Sequence, residues 1–389
     1  LSGPGGWVWV GSLAGSVHMV VDERVQGGNE IETYLDGDAF AAMLGAIDGA
    51  RSSVTLLTYI FDHDAVGLRF RESLAAAVKR GVAVKVLIDA VGDRYTSPPM
   101  HETLRAAGVP VEVFNPTFLP RSATYSNLRN HRKLLVVDGR VAFTGGMNIS
   151  AVHALDESPP NPTRDVHFRV EGPVVGTLQR SFADDWRFTT DEVLAGDAFF
   201  PALEPAGALA ARVIDDGPAE TIHHLRWTLL AGLACARRRV RIQTPYFLPD
   251  PGVITALIMA VRRGVEVDIV LPGRGNLKLV QWASTAMWWQ VLEGGCRIFT
   301  TPQPFDHSKL MVVDGAWSLI GSANWDPRSL RLNFELNLEV YSEVFAGALE
   351  TLLDEKIAAS REVTLADVDA RPHWMRLRDG LARLASPYL

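Results

Sequence analysis

The chain has 389 residues, of which 47% are hydrophobic and 21% charged, a balance typical of globular proteins. This composition excludes a disordered chain or a fibre, and the length favours two domains or two large lobes. The formal net charge of −7 argues against a protein that coats nucleic acid. The two cysteines, Cys235 and Cys296, are too few for a disulfide framework or a four-thiolate zinc site.

The first segment, residues 1–28, is apolar and rich in glycine. It has no formal charge between Leu1 and Val21, but its glycines argue against a membrane-spanning helix. It does not begin with Met, so an upstream signal or anchor stays open as an expectation.

A long internal repeat follows. An apolar run ends at Thr58–Phe61 in the first copy and at Thr244–Phe247 in the second, and each run precedes a helical pattern. Arg80-Gly81-Val82 and Arg263-Gly264-Val265 then lead into further strand-like runs, and each glycine is expected to end a helix in the left-handed conformation. Alternating strands and helices predict mostly parallel sheets covered by helices.

We therefore predict an α/β fold of two pseudo-symmetric lobes, each a mixed, mostly parallel sheet flanked by helices. The predicted boundaries are 29–190 for the first lobe, 191–210 for a linker, 211–360 for the second lobe and 361–389 for a helical tail.

In the tail, four apolar residues share one helical face, namely Trp374, Leu377, Leu381 and Leu384. This helix either packs on the body of the protein or lies at a membrane interface. The tryptophans near a central helical pattern allow the same two interpretations, core packing or a lipid-facing belt, at Trp282, Trp288 and Trp289.

Each lobe contains one dense polar motif of the form His-x-Lys-x4-Asp. The copies are His131, Lys133 and Asp138, followed by Gly145 and Asn148, and His307, Lys309 and Asp314, followed by Gly321 and Asn324. Chance predicts the short pattern roughly 0.01 times in a chain of this composition. Because strand positions two apart share a face, each histidine should project beside its lysine.

These residue types suit phosphoryl chemistry. Imidazole can attack phosphorus or transfer a proton near neutral pH, and lysine and asparagine can hold the non-bridging oxygens. No metal or cofactor is expected, since two lysines supply the positive charge. Asp138 and Asp314 complete the motif and are catalytic candidates. A structural role is favoured for both, because an Asp before Gly is usually part of a turn. His18, His63, His101 and His373 are interpreted as structural, and His153 and His167 stay open.

The duplicated motif resembles that of the phospholipase D superfamily, and most of all bacterial cardiolipin synthases of the phospholipase D type. The resemblance covers nearly the whole chain beyond the first thirty residues, and it is carried by Asn130–Ser150, Arg164–Pro173, Thr244–Asp250, Gly321–Glu339 and the ending Arg383–Leu389.

The resemblance implies an active site at the lobe interface, with His131 as nucleophile, a phosphatidyl-histidine intermediate and His307 as acid and base. It implies that the carboxylates of Asp165 and Glu335 orient the histidine rings. The expected substrate-binding residues are Lys133, Lys309, Asn148, Asn324 and Ser322. Gly146 departs from the pattern, since many members have serine there, as the second copy has at Ser322.

The implied reaction transfers a phosphatidyl group from one phosphatidylglycerol to another, giving cardiolipin and glycerol. The alternative is a phospholipase D hydrolase or a nuclease of the same superfamily. The expected partners are phosphatidylglycerol, related anionic phospholipids and a membrane surface, without nucleic acid. A monomer would suffice for one complete site, and the oligomeric state stays open.

The expected location is the bacterial cell membrane, with the protein peripheral or anchored by a segment absent from this chain. Basic residues are expected to attract anionic headgroups, at Arg121, Arg129, Arg132, Arg274 and Lys278. The proline-rich segment Ser158–Pro162 is either a lid or a surface loop.

Overall fold

The computed structural model describes residues 12–18, 21, 23–116, 128–217, 221 and 223–385. Half of the predicted apolar N-terminal segment, Arg121 and the last four residues lie outside the described residues. The chain forms two compact units. The first unit holds Gln26–Asp215 and the short segment Asn333–Leu336, and the second holds Asp216–Leu332, Asn337–Leu389 and the N-terminal residues up to Val25.

The first unit is a mixed sheet flanked by helices. Its strands are β1 (Gln26–Leu35), β2 (Ser53–Thr58), β3 (Ala83–Asp89), β4 (Val111–Phe114), β5 (Arg129–Asn130), β6 (Leu134–Val137), β7 (Val141–Gly145), β8 (Thr163–Arg164), β9 (Val166–Glu171) and β10 (Leu209–Asp216). Its helices are α2 (Asp38–Gly49), α3 (Ala65–Lys79), α4 (Met100–Ala106) and α5 (Val174–Thr190), with short 3-10 turns at Gly92–Tyr95, Ala151–His153 and Leu155–Glu157. The strand order is β10-β1-β9-β7-β6-β2-β3-β4.

The second unit repeats this plan. Its helices are α1 (12–18), α6 (His224–Cys235), α7 (Pro251–Arg262), α8 (Lys278–Thr285), α9 (Trp288–Glu293), α10 (Glu343–Ala358), α11 (Leu365–Asp369) and α12 (His373–Leu384). Its strands are β11 (Arg239–Gln243), β12 (Glu266–Pro272), β13 (Arg297–Thr301), β14 (Phe305–Asp306), β15 (Leu310–Val313), β16 (Trp317–Gly321), β17 (Asn333–Tyr341) and β18 (Arg361–Val363). The strand order is β18-β13-β12-β11-β15-β16-β17.

The central strand β2 is buried on both faces, and it accordingly carries no charged residue. Val54 and Leu56 join the core formed with α2 and α3. On the opposite face the Thr55 hydroxyl donates a 2.9 Å hydrogen bond to Gln179 on α5. The sheet is therefore a middle layer between helices, as the repeat predicted.

The mixed α/β sheet is confirmed, but its parallel share is smaller than predicted. Parallel pairing joins β2, β3 and β4 in the first unit and β11, β12 and β13 in the second. The neighbours β6 and β7, and likewise β15 and β16, are antiparallel. The physical reason is the short Asp-Gly turn within each motif, which reverses the chain too tightly for a crossover helix.

The predicted glycine and turn chemistry is confirmed. Gly81 and Gly264 follow α3 and α7 with φ of 86° and 90°. Asp138 and Gly139 both have positive φ, at 53° and 63°, which is the combination that favours Asp-Gly in a hairpin.

The segment predicted as a linker belongs to the first unit. Leu194 and Phe199 are buried, and the hydroxyl of Ser53 on β2 donates a hydrogen bond to the carbonyl of Ala198. The prolines and glycines of this segment thus belong to irregular backbone that packs on the first unit, and not to a linker between domains.

The tail contains the predicted amphipathic helix α12, and the helix packs on the body of the protein, as the first alternative expected, although not through its apolar stripe. Trp374, Leu377, Leu381 and Leu384 are all exposed, whereas Asp379 and Ala382 are buried. Among the described residues, no helix is both long enough and apolar enough to cross a bilayer.

Candidate active site

Two polar clusters carry the motif chemistry. We call His131, Lys133, Asn148 and Glu335 the first cluster, and His307, Lys309, Ser322 and Asn324 the second cluster. The first lies wholly in the first unit, because the segment Asn333–Leu336 that supplies Glu335 belongs to that unit. The second lies wholly in the second unit.

Backbone pairing fixes the position of His131. The short strand β5 runs parallel to the start of β17, with Asn130 opposite Phe334. The amide of His131 then donates a 2.9 Å hydrogen bond to the carbonyl of Phe334. This pairing brings the imidazole next to the following residue, Glu335.

The imidazole of His131 is oriented by the carboxylate of Glu335. Its Nδ1 lies 3.2 Å from each carboxylate oxygen. Glu335 is fully buried, and the side-chain Nδ2 of Asn333 donates a further 3.2 Å hydrogen bond to it. A carboxylate at Nδ1 holds the proton on that nitrogen and leaves Nε2 to attack or to exchange a proton.

Lys133 is held close to the same histidine. Its buried Nζ donates a 2.6 Å hydrogen bond to the carbonyl of His131 and lies 5.5 Å from the centroid of the Tyr59 ring. The Oδ1 atom of Asn148 accepts a 3.1 Å hydrogen bond from the backbone amide of Ile60. This bond orients the side-chain amide of Asn148. The ammonium of Lys133 is therefore fixed beside His131, and Asn148 is fixed to the backbone that follows Tyr59.

Tyr59 is a member of this region that the sequence analysis missed. Its ring centroid lies 5.0 Å from that of His131. Burial raises the pKa of Tyr59 above its ordinary value, so the phenol stays neutral near pH 7. Tyr59 lies just after β2, and the aromatic residues at this strand end were its only signal in the sequence.

The structure explains the departure at Gly146. A Cβ atom at that position would lie 2.4 Å from Oδ1 and 2.6 Å from Oδ2 of Asp165. Asp165 is itself buried, and its Oδ1 accepts a 2.8 Å hydrogen bond from the amide of Val166. Glycine thus makes room for the Asp165 carboxylate at the place where the second copy has Ser322.

Asp138 and Asp314 lie at the opposite strand ends from the motif histidines. The carboxylate of Asp138 accepts hydrogen bonds from the amides of Arg51, Ser52 and Ser53, at 2.7 to 3.0 Å. The carboxylate of Asp314 is bound in the same way by the amides of residues 237 to 239. This placement supports the structural role for both residues and does not bring them to the histidines.

Hydrogen bonds outweigh burial at Asp138. Burial alone would raise the pKa of its carboxyl, but the amides of Ser52, Ser53 and Arg51 and the hydroxyl of Ser52 hold the pKa below its usual value. The carboxylate therefore stays charged and ties the hairpin turn to the start of β2.

In the second cluster His307 and Lys309 are both largely buried. The ammonium of Lys309 donates to the carbonyl of His307, which repeats the contact between Lys133 and His131. Asn324 is held by a turn in which its backbone amide donates to the hydroxyl of Ser329 at 3.2 Å. Ser322 is completely buried at the end of β16.

A buried ion pair lies beside His307, in the segment between β14 and β15. Lys356 on α10 lies 2.7 Å from the carboxylate of Asp306 and donates to the hydroxyl of Ser308 at 3.3 Å. Burial alone would raise the pKa of Asp306, but the ammonium of Lys356 outweighs burial and lowers it. Both neighbours of His307 in the chain are therefore fixed from one side.

In the first unit the signs of the buried ion pair are reversed: the residue next to the motif histidine is the cation, and the helix supplies the carboxylate. Arg132, next to His131, lies 2.7 Å from the carboxylate of Asp185 on α5, and Asn130 donates to the same carboxylate at 2.8 Å. Arg132 also pairs with Asp215. Because Arg132 is buried and paired, the expectation that it attracts lipid headgroups was wrong. The carboxylate of Asp185 on α5 instead holds the segment between β5 and β6.

Three other histidines, His101, His153 and His167, lie in environments that suit a structural role. The Nδ1 atom of His153 lies 3.0 Å from the carbonyl of Thr163, and that of His101 lies 2.5 Å from the buried carboxylate of Asp93. Burial first, and then the charges of His153 and Lys133, lower the pKa of His167 to about 3. His167 is therefore neutral near pH 7 and packs against Gly145.

Among the described residues, no three His, Cys, Asp or Glu side chains come together as a candidate metal site. Each motif instead supplies a lysine that donates to the carbonyl of its histidine, together with an asparagine. This donor set can neutralise and hold the oxygens of a phosphodiester while the imidazole reacts.

Comparison with known proteins identifies the family. The fold and the duplicated motif define an enzyme of the phospholipase D superfamily, and a family model described as "Cardiolipin synthase, PLD-like domain" matches residues 43–186 and 229–357. The chain belongs to this family of phospholipase D-like cardiolipin synthases, and it is a phosphatidyltransferase of the superfamily.

Individual relatives match over most of the chain. The major cardiolipin synthase ClsA of Bacillus subtilis (strain 168) is 32% identical over 364 residues, which cover 93% of this chain and 76% of the relative. Cardiolipin synthase A of Pseudomonas fluorescens (strain SBW25) is 36% identical over 362 residues, covering 93% and 75%. The resemblance inferred from the motif is thereby confirmed.

A solved structure shows the same fold. Phosphatidylserine synthase of Haemophilus influenzae Rd KW20 superposes with a TM-score of 0.75 over 97% of this chain and all of that chain, at 12% identity. At this low identity the likeness concerns the fold alone.

Proposed function

We propose that this enzyme transfers a phosphatidyl group from one phosphatidylglycerol to a second, releasing cardiolipin and glycerol. The observation that carries the proposal is the contact between His131 and Glu335, which gives the imidazole the orientation of a nucleophile. Relatives named cardiolipin synthase, 32% to 36% identical over 93% of the chain, support the choice of substrate and product.

In the first proposed step, Nε2 of His131 attacks the phosphorus of phosphatidylglycerol. The bond from phosphorus to the headgroup glycerol breaks, and its electron pair stays on the glycerol oxygen. Protonated His307 gives that oxygen a proton, so that free glycerol leaves. The product on the enzyme is a phosphatidyl group bonded to His131.

In the second proposed step, neutral His307 removes a proton from a headgroup hydroxyl of the second phosphatidylglycerol. The resulting oxygen attacks phosphorus, the bond to His131 breaks, and cardiolipin forms. Lys133, Lys309, Asn148, Asn324 and Ser322 are the proposed ligands of the non-bridging oxygens.

The substrates place the proposed work of the enzyme at a bacterial membrane surface. Phosphatidylglycerol is an anionic bilayer lipid, and the acceptor is a second lipid in the same layer. Two-dimensional confinement keeps the acceptor hydroxyl close, which helps it to compete with water for the intermediate.

The test is product analysis with labelled phosphatidylglycerol in vesicles. We expect cardiolipin and free glycerol in equal amounts, with phosphatidic acid as a minor product. One phosphodiester replaces another, so added glycerol should convert cardiolipin back to phosphatidylglycerol. Phosphatidic acid as the main product, unaffected by glycerol, would establish the hydrolase alternative. His131→Asn and His307→Asn serve as inactive controls.

A further inference from the structure

Helix α12 turns its apolar stripe towards solvent. Trp374, Leu377, Leu381 and Leu384 are between 60% and 76% exposed. They recur at three- and four-residue spacing, so they form one continuous face. An exposed stripe of this kind is uncommon on a soluble surface and indicates a binding surface.

The orientation of α12 is fixed by its other face. Asp379 is buried and pairs with both Arg371 and Arg378. The guanidinium of Arg378 lies 4.3 Å from the ring centroid of Trp282 on α8 and 5.5 Å from that of Trp374. Because Asp379 and Ala382 are buried and Arg378 contacts α8, the leucines point away from the rest of the second unit.

The segment around α8 extends the same kind of surface. Leu277 and Leu279, at the start of α8, are exposed, and so are the neighbouring cations Arg274 and Lys278. No acidic residue occurs between Gly273 and Leu292. In α12 the one acidic residue is Asp379, which is buried, whereas Arg376 and Arg383 are exposed.

The exposed apolar residues and the exposed cations of this surface together indicate a phospholipid bilayer as its partner. Exposed leucines with a tryptophan and arginines suit the boundary between acyl chains and anionic headgroups, where the ring and the cations face the polar layer. A protein whose formal net charge is −7 has a local excess of cations here.

The surface also adjoins the second cluster. The hydroxyl of Tyr246 donates a 2.8 Å hydrogen bond to Asn276, directly before Leu277. The ring of Tyr246 lies 6.3 Å from that of His307, centroid to centroid. A groove lined by Tyr246, Leu277, Val280 and Trp288 lies along this path.

We propose that the surface formed by the start of α8 and the apolar stripe of α12 docks on an anionic phospholipid bilayer. This inference deepens the proposed function, and rests on it for the identity of the lipid. Docking there brings headgroups next to Tyr246, and so to the side of the second unit that holds His307.

The test compares vesicle binding by the full chain and by two double variants. Leu377→Asp with Leu381→Asp removes the apolar stripe, and Arg376→Gln with Arg383→Gln removes the exposed charge. Val344→Asp is the matched control, because Val344 is an exposed apolar residue on helix α10 of the same unit. The vesicles contain either phosphatidylglycerol mixed with phosphatidylcholine, or phosphatidylcholine alone.

We expect the leucine variant to bind phosphatidylglycerol vesicles roughly tenfold or more weakly, and Val344→Asp to bind like the wild type. The arginine variant should lose affinity for phosphatidylglycerol vesicles and lose most of its salt dependence. Unchanged vesicle binding by the leucine variant would overturn the proposal. So would a dimer that dissociates in that variant while vesicle binding stays the same.

A second readout separates this inference from the proposed function. With a short-chain, water-soluble phosphatidylglycerol, the leucine variant should turn over at the wild-type rate, while its rate on vesicles falls. If the wild type transfers no phosphatidyl group from either substrate, the proposed function fails. The binding comparison still tests the surface in that case.

Discussion

The carboxylate of Glu335 lies 3.2 Å from Nδ1 of His131, although 204 residues separate them in the chain. The contact depends on the segment Asn333–Leu336, which belongs to the first unit while its flanks belong to the second. The second copy of the repeat therefore supplies the residue that orients the histidine of the first copy.

The first prediction concerns this carboxylate. Glu335→Gln keeps the shape of the side chain but lets an amide meet Nδ1, which destabilises the reactive tautomer. We expect kcat to fall on the order of 10³-fold or more, with little change in thermal stability. Steady-state assays beside Glu72→Gln, an exposed residue on α3, check this. Activity within a few-fold of the wild type would contradict the proposed orientation.

The second prediction concerns the glycine beside Asp165. In Gly146→Ala the new methyl group would lie 2.4 Å from the carboxylate, so the carboxylate must move. We expect a destabilisation of about 1–3 kcal/mol together with a loss of activity. The control is Gly45→Ala on helix α2, where nothing lies within 4 Å of the added atom. It should stabilise the protein by about 0.5–1 kcal/mol in the same unfolding assay. Equal effects at the two glycines would argue against the crowding.

The third prediction concerns the buried pair of Lys356 and Asp306. Lys356→Met leaves the Asp306 carboxylate buried without its main cation, which should cost about 3 kcal/mol of unfolding free energy. Adding Asp306→Asn should recover part of this loss, since the stranded charge is then gone. Arg69→Met, which breaks an exposed pair with Glu157, should cost no more than about 1 kcal/mol. Strictly additive effects of the two buried substitutions would show that the residues are not coupled.

The fourth prediction concerns pH. The pKa of His167 is lowered to about 3, first by burial, whereas an unfolded histidine titrates near 6.5. Between these values the unfolded chain binds the extra proton, so stability is lost as pH falls below about 6.5, by up to about 1.4 kcal/mol per pH unit. Urea unfolding from roughly pH 4.5 to 7.5 should show a shallower slope in His167→Gln. The exposed His373→Gln control should keep the wild-type slope, and an unchanged slope in His167→Gln would refute this origin of the acid sensitivity.

Local features of the fold were predictable from the sequence. Asp138-Gly139 indicated a turn, because this signal depends on neighbouring residues only. The strand expected at His131 and Lys133 was wrong, since both lie between β5 and β6, although the ammonium of Lys133 does reach the carbonyl of His131. The partners of these residues were less accessible. Arg132 with Asp185, and Asp306 with Lys356, join a strand to a distant helix, and no short-range pattern links them.

The tail shows a different limit. Periodicity identified the stripe from Trp374 to Leu384, but an amphipathic pattern does not say which face meets the protein. The buried pairing of Asp379 with two arginines decides that, and it becomes visible only once α12 lies against α8. Tyr59 escaped notice for a similar reason, since its contact with His131 joins two separate strand ends.

The most direct test of the account is to identify the residue that carries the phosphatidyl group. The enzyme is mixed with phosphatidylglycerol labelled in its phosphate, quenched in alkali within the first turnover, and digested for mass spectrometry. The account predicts the label on the peptide that contains His131, and no labelled peptide from His131→Asn. Label on a serine or cysteine, or turnover by His131→Asn at the wild-type rate, would contradict it.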